Sequence, residues 1–147
     1  MYTVDASVWV NGFDQREPGH EISRQFLDLL GKQVIPVFVP NLILSEVAGA
    51  ISRTRNNPSQ AEAFAILLSK LPNVTVIPLD NPLAHQAFIL AARHGLRGAD
   101  AVYAAVATQR GCTLISLDNE HLTRLIGIVK TQTPTTALAD LAQSSTS

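Results

Sequence analysis

The sequence predicts an α/β sandwich built on a mostly parallel sheet, and three observations carry that expectation. Short β-rich runs at residues 2–4, 37–39, 74–77 and 113–117 alternate with longer stretches of helical periodicity. The run 113–117, Thr-Leu-Ile-Ser-Leu, has the β-branched and aliphatic content of a buried parallel strand. Break signals at Gly31, Pro72 and Gly95 stand near the ends of helical stretches.

Taken in order, residues 2–4 open the chain as a strand, and Asp5 begins the polar break before Ala6-Ser7-Val8-Trp9-Val10, which reads as a helix start. A helix over 21–30 and a strand over 37–39 follow. Asn41 or Ser45 then opens or flanks a helix running to about Arg53. Positions 42, 43, 46, 47, 50 and 51 share one face of it, which reads Leu, Ile, Glu, Val, Ala, Ile. Helices are expected over 61–71 and 83–93, with the strand 74–77 between them. Gly98-Ala99-Asp100 precedes an alanine-rich helix over 101–107, and the strand 113–117 closes at Asp118. Residues 143–147 have the small polar composition of a frayed terminus. No internal repeat or linker divides the chain.

With 147 residues and 46% hydrophobic content, the chain is expected to form one domain. It then buries roughly two-thirds of its unfolded surface and needs no disulfide or structural metal. The single Cys112 opens a strand and reads as a buried thiol. No apolar run reaches the length of a membrane span or follows a basic start like a signal peptide, so a soluble, cytoplasmic protein is expected. His20, His85, His94 and His121 have no zinc-site spacing and are expected mostly on the surface. Trp9, Phe13, Phe26 and Phe88 fall at helical positions and read as core.

Four acids stand out against this scaffold. Asp5 and Asp118 each follow a strand, Asp100 stands at a helix start, and Glu46 lies in the middle of an apolar helical face. A cap or turn role accounts for each aspartate taken alone. Glu46 is different, because a carboxylate on a core-facing stripe must be paired, protonated or coordinated; Arg53 and Arg97 are candidate partners. In an open α/β sheet, strand ends and the helix starts after them converge on one crevice. Four carboxylates gathered there repel one another, and one or two divalent cations reverse that penalty. An all-oxygen anionic set suits Mg²⁺ or Mn²⁺ rather than Zn²⁺. A phosphotransfer role for Asp5 lacks its companions, since position 7 is Ser and no well-placed Lys follows a later strand.

Four strings occur in order: Val4-Asp5-Ala6-Ser7-Val8-Trp9, Leu44-Ser45-Glu46-Val47, Arg97-Gly98-Ala99-Asp100-Ala101-Val102-Tyr103-Ala104-Ala105, and Leu114-Ile115-Ser116-Leu117-Asp118. Together they resemble the PIN domain and, more narrowly, the VapC toxin ribonucleases of type II toxin–antitoxin systems. The resemblance runs from residue 2 to about 135, with a closing strand near 126–129 before Thr133-Pro134. Ser116 stands where a threonine is common, and Asn119 and Glu120 are rivals near the fourth acid.

The resemblance implies a three-layer α/β/α nuclease domain over 1–135 and a tail over 136–147, partly helical and then frayed. It implies Asp5, Glu46, Asp100 and Asp118 as catalytic acids and ligands of Mg²⁺ or Mn²⁺, with Ser7 as a polar support. It further implies an RNA substrate, a cognate antitoxin and a homodimer. A net charge of −1 gives no overall attraction for a polyanion, so RNA contacts must be local. Arg93, His94 and Arg97 cluster before Asp100, Arg53 and Arg55 follow the Glu46 helix, and His20 lies near Arg16. Arg53 and Arg55 equally suit a helix C-terminal dipole. Arg93, Arg97 and His20 are the candidate RNA contacts. Two other functions stand beside this one: an RNA-processing nuclease of the same family without an antitoxin, and a catalytically silent α/β module that binds a protein.

Overall fold

A computed structural model describes residues 1–145. Strands β1 (Tyr2–Val4), β2 (Val37–Pro40), β3 (Val74–Ile77), β4 (Thr113–Ile115) and β5 (Thr131–Gln132) form one sheet in the order β3-β2-β1-β4-β5. Every neighbouring pair is parallel. Among the described residues eight helices cover the sheet: α1 (Ala6–Phe13), α2 (His20–Lys32), α3 (Leu42–Arg55), α4 (Pro58–Ser69), α5 (Asn81–His94), α6 (Gly98–Arg110), α7 (Asn119–Arg124) and α8 (Pro134–Ser144). The architecture is the α/β sandwich that the alternating pattern predicts, in the three-layer α/β/α form that the family resemblance implies.

Helix α6 is the inner element. Ala101 to Ala107 are all buried, and the run is mostly alanine, so the helix backbone can lie close against β1, β2 and β4. The sheet contributes Val4, Val37, Val39, Leu114 and Ile115 to the core on its two faces, each 0% exposed. Truncating a side chain such as Ile115 to alanine in this packing costs about 2–5 kcal/mol. Local signals fix the ends of neighbouring helices: the Asp80 carboxylate caps α5 by accepting from Leu83 N–H at 3.0 Å. Gly95 and Gly111 then end α5 and α6 in the left-handed region that favours glycine.

Strand order positions the site. The chain runs outward through β1, β2 and β3, then returns to place β4 on the other side of β1. That reversal leaves a crevice at the carboxyl ends of β1 and β4, the place where open α/β sheets bind ligands. Asp5 follows β1 there, its N–H donating to Ile115 O at 2.9 Å, and Ser116 to Asp118 follow β4.

Several expected boundaries differ. Residues 126–129 are not a strand: the chain turns there with Gly127 at φ 82° and Ile126 exposed, and the closing strand is Thr131–Gln132. Strand β4 stops at Ile115, so Leu117 is exposed rather than buried. Helix α4 starts three residues earlier than 61, at Pro58, because Asn57 caps it. Gly31 lies inside α2, whose exit comes at Gln33. Trp9 and Phe26 are core, but Phe88 is 58% exposed on α5. Cys112 is buried as expected. Of the stretch 143–147, Gln143 and Ser144 end α8, and 146–147 lie outside the described residues.

Candidate metal centre

Asp5 is at once a cap and a member of the crevice. Its Oδ2 accepts from Ser7 N–H at 3.3 Å, from the Ser7 hydroxyl at 2.5 Å and from the Ser116 hydroxyl at 3.2 Å, and the residue is 7% exposed. Ser7 Oγ in turn accepts from Leu117 N–H at 3.2 Å. The two serines tie the end of β1 to the end of β4.

Glu46 reaches the same edge from α3. Ile43, Val47 and Ile51 on its helix face are 0% exposed, as the apolar stripe predicts, and Glu46 is half-buried among them. Its partner is neither Arg53 nor Arg97: the Tyr103 hydroxyl of α6 donates to Glu46 Oε1 at 2.7 Å. Burial pushes the Glu46 carboxyl above its ordinary range. The Tyr103 hydrogen bond opposes that shift, while the charges of Asp5 and Asp100 reinforce it. Burial, followed by the charge of Glu46, pushes the Tyr103 phenol up in turn, so Tyr103 is a donor at any physiological pH.

Asp100 sits in the first turn of α6, with Arg97 rather than Asp100 at the N-cap. Asp118 caps α7 by accepting from Glu120 N–H at 2.8 Å. Between them lies His121, which is 1% exposed rather than on the surface. Ligand atoms of Asp100, Asp118 and His121 all lie within 4.8 Å of one another. His121 Nε2 is 2.7 Å from Asp100 Oδ1 yet makes no directed hydrogen bond, and Nδ1 is 3.0 Å from Ser116 Oγ.

Sequence reasoning overlooked His121 because zinc-type spacing is the wrong test. The usable signal is its i, i+3 offset from Asp118, which places both on one side of a helix turn. The donor set is carboxylate oxygen with one imidazole nitrogen, and it includes a buried nitrogen without a hydrogen-bond partner. That set fits a divalent cation.

The basic residues are spread around the crevice. Arg53 lines a groove with Ser7, Glu46 and Leu117. Arg55 turns away, pairing with Asp14 Oδ1 at 3.0 Å. Asp14 also binds Arg16, whose hydrogen bonds hold the Asp14 carboxyl down to about 2. Arg97 is 75% exposed and lies 3.9 Å from Glu120 Oε1, and Arg93 is exposed at the end of α5. His20 is half-buried, with Nδ1 2.9 Å from Asn11 O.

A parallel five-stranded sheet with acids gathered at its switch point defines the class, and the family model for the PIN domain matches residues 2–125. The chain belongs to the PIN domain family. Among solved structures, Mycobacterium tuberculosis VapC20, described as a sarcin–ricin loop cleaving toxin, is similar with a TM-score of 0.73 and 21% identity. The match covers 88% of this chain and 98% of that one. A toxin–antitoxin complex from Klebsiella pneumoniae matches with a TM-score of 0.66 and 17% identity over 91% of this chain and 98% of that one. FitAcB from Neisseria gonorrhoeae matches with a TM-score of 0.68 and 21% identity over 91% and 98% respectively. Among curated proteins, none matches the sequence. No helix among the described residues is long and apolar enough to cross a membrane.

Proposed function

We propose that this protein is a divalent-metal-dependent endoribonuclease and the toxin of a type II toxin–antitoxin pair, acting in the cytoplasm. The observation that carries the reading is the gathering of acids at the β1/β4 crevice, where the Asp5 and Asp100 charges both act on the half-buried Glu46. Holding that much negative charge together calls for a cation.

In this reading Asp5, Glu46, Asp100 and Asp118 hold Mg²⁺ or Mn²⁺. A bound divalent cation supplies a water of lowered pKa and offsets charge developing on the phosphate and leaving oxygen. Ser7 and Ser116 fix the Asp5 carboxylate by donating to Oδ2, and Tyr103 holds Glu46 toward the crevice. Arg93, Arg97 and His20 contact RNA around this centre. The Arg97–Glu120 contact is long and exposed, worth at most about 1 kcal/mol, so a phosphate readily takes its place. With a net charge of −1, selection by the shape and unstacked bases of an RNA loop suits the chain better than nonspecific binding.

The antitoxin assignment is supported by the likeness to a toxin–antitoxin complex. Such a partner lays a segment beside the crevice and directs a cationic side chain at the acids. A homodimer is supported by the exposed Leu79 and Phe88, which border an apolar groove with Ala84, Ala91 and Val102. Light scattering at micromolar concentration reads this directly, with a monomer counting against it.

Controlled expression in a bacterial host, followed by mapping of RNA 5′ ends, tests the reading. Discrete new ends with the wild type, absent with Asp100→Asn, are expected. Unchanged RNA ends in cells that accumulate folded wild-type protein contradict it.

A further inference from the structure

We infer that His121 is a direct nitrogen ligand of the bound cation, and that this ligand makes the centre select Mn²⁺ over Mg²⁺. The inference rests on the metal-dependent reading above and adds to the acids a residue of different chemistry.

The argument begins with the protons of the Ser116 node. Ser116 is 0% exposed, and its hydroxyl carries a single hydrogen, which goes to Asp5 Oδ2 at 3.2 Å. Ser116 Oγ also accepts from Asp118 N–H at 3.0 Å. With that hydrogen on Asp5, the contact with His121 Nδ1 at 3.0 Å is donated by the imidazole. In the neutral form that a metal ligand requires, the ring then carries its hydrogen on Nδ1 and presents the Nε2 lone pair.

That lone pair is buried, has no hydrogen-bond partner, and lies 2.7 Å from Asp100 Oδ1. Two electron-rich atoms at that separation repel unless an electrophile is shared between them. No directed Nε2–H bond to Asp100 is formed. A cation in front of both atoms satisfies them together. Neighbouring ligands of a six-coordinate ion with bonds of about 2.1 Å stand about 3 Å apart, close to the observed spacing. Asp118 completes the group, with its oxygen inside the same 4.8 Å limit.

The arrangement also has the usual support of a metal-bound imidazole: the second ring nitrogen donates to a fixed acceptor, which sets the tautomer and the ring direction. Here that acceptor is Ser116 Oγ, itself tied to Asp5. Imidazole nitrogen favours transition-metal ions, whereas Mg²⁺ prefers an all-oxygen shell and keeps several waters. A centre with one such ligand therefore discriminates between the two ions.

The test uses metal-stripped, full-length protein titrated with Mn²⁺ alone and read by electron spin resonance. The wild-type spin echo is expected to show ¹⁴N modulation, and His121→Phe is expected to lose it. The ratio of the Mg²⁺ to the Mn²⁺ dissociation constant is expected to fall about tenfold or more in that variant. His121→Asn, which keeps a polar group beside Ser116, replaces it if the phenylalanine variant does not fold. Bound Mn²⁺ without ¹⁴N modulation in the wild type overturns the inference and leaves the carboxylate metal site standing. No bound Mn²⁺ at all overturns both. Modulation that persists in a folded His121 variant assigns the nitrogen elsewhere and also overturns it.

Discussion

The Tyr103 hydroxyl donates a 2.7 Å hydrogen bond to Glu46 Oε1, joining α6 to α3 across 57 residues of sequence. The bond gives a half-buried carboxylate one of the few donors it has in an acidic crevice, and it favours the charged form. Tyr103→Phe keeps the buried ring and deletes the donor. The Glu46 carboxyl is then expected to titrate higher than in the wild type, followed by ¹³C NMR of the side chain. Stability is expected to fall by about 1.5–3 kcal/mol in urea, the range for a hydrogen bond to a charged group. A downward shift of the Glu46 titration would contradict the pairing.

Glu46 also makes stability depend on pH in a definite direction. Its folded-state pKa is raised, chiefly by burial, so the protonated form stabilises the fold. That contribution is fully present below the ordinary glutamate range and is lost as pH rises through the higher folded value. Without metal, Glu46→Gln removes the dependence because its side chain stays neutral. The variant is expected to match the wild type near pH 4 and to melt higher near pH 7. A gain of equal size at both values would show that charge is not the cause.

Ser116 is expected to be sensitive out of proportion to its size. Ser116→Ala leaves Asp118 N–H and His121 Nδ1–H without their acceptor inside the protein. Each orphaned buried donor costs about 1–3 kcal/mol. Ser116→Thr keeps the hydroxyl and adds one methyl to a fully buried position, at a cost of about 1–3 kcal/mol from overpacking. Chemical denaturation should therefore rank alanine as the more damaging change, with the threonine variant still binding Mn²⁺.

Asp100→Asn is expected to raise metal-free stability. The amide can donate to His121 Nε2, which has no hydrogen-bond partner in the wild type, and it removes a charge beside Glu46. A gain of about 1 kcal/mol corresponds to roughly 3 °C in melting temperature for a chain of this size. Asp5→Asn should not share the gain, although both acids belong to one crevice, because the Asp5 carboxylate oxygen already accepts three hydrogen bonds. Scanning calorimetry in EDTA separates the two variants.

Much of this was legible in the sequence because period and position each carry physical information. The apolar face of Ile43, Val47 and Ile51 made Glu46 conspicuous, and the strand runs before Asp5 and Asp118 placed both acids at carboxyl ends. What was not legible depended on contacts distant in sequence. Tyr103 reads as one more apolar residue on an alanine-rich helix until α3 is packed against its hydroxyl. His121 reads as surface until the turn after β4 folds it under Asp100. The strand expected at 126–129 failed for a local reason, since Gly127 takes a left-handed φ that ends any extended run. Phe88 has the helical spacing of a core residue, yet it projects from the exposed side of α5.

The central claim is that the gathered acids form a metal-dependent nuclease centre. Its most direct test is cleavage of total cellular RNA by purified wild-type and Asp100→Asn protein, each stripped and then supplied with Mg²⁺, Mn²⁺ or EDTA. Discrete products from the wild type with metal, and none from the variant or in EDTA, are expected. Cleavage that persists in EDTA, or equal cleavage by folded Asp100→Asn protein, would contradict the assignment of these acids.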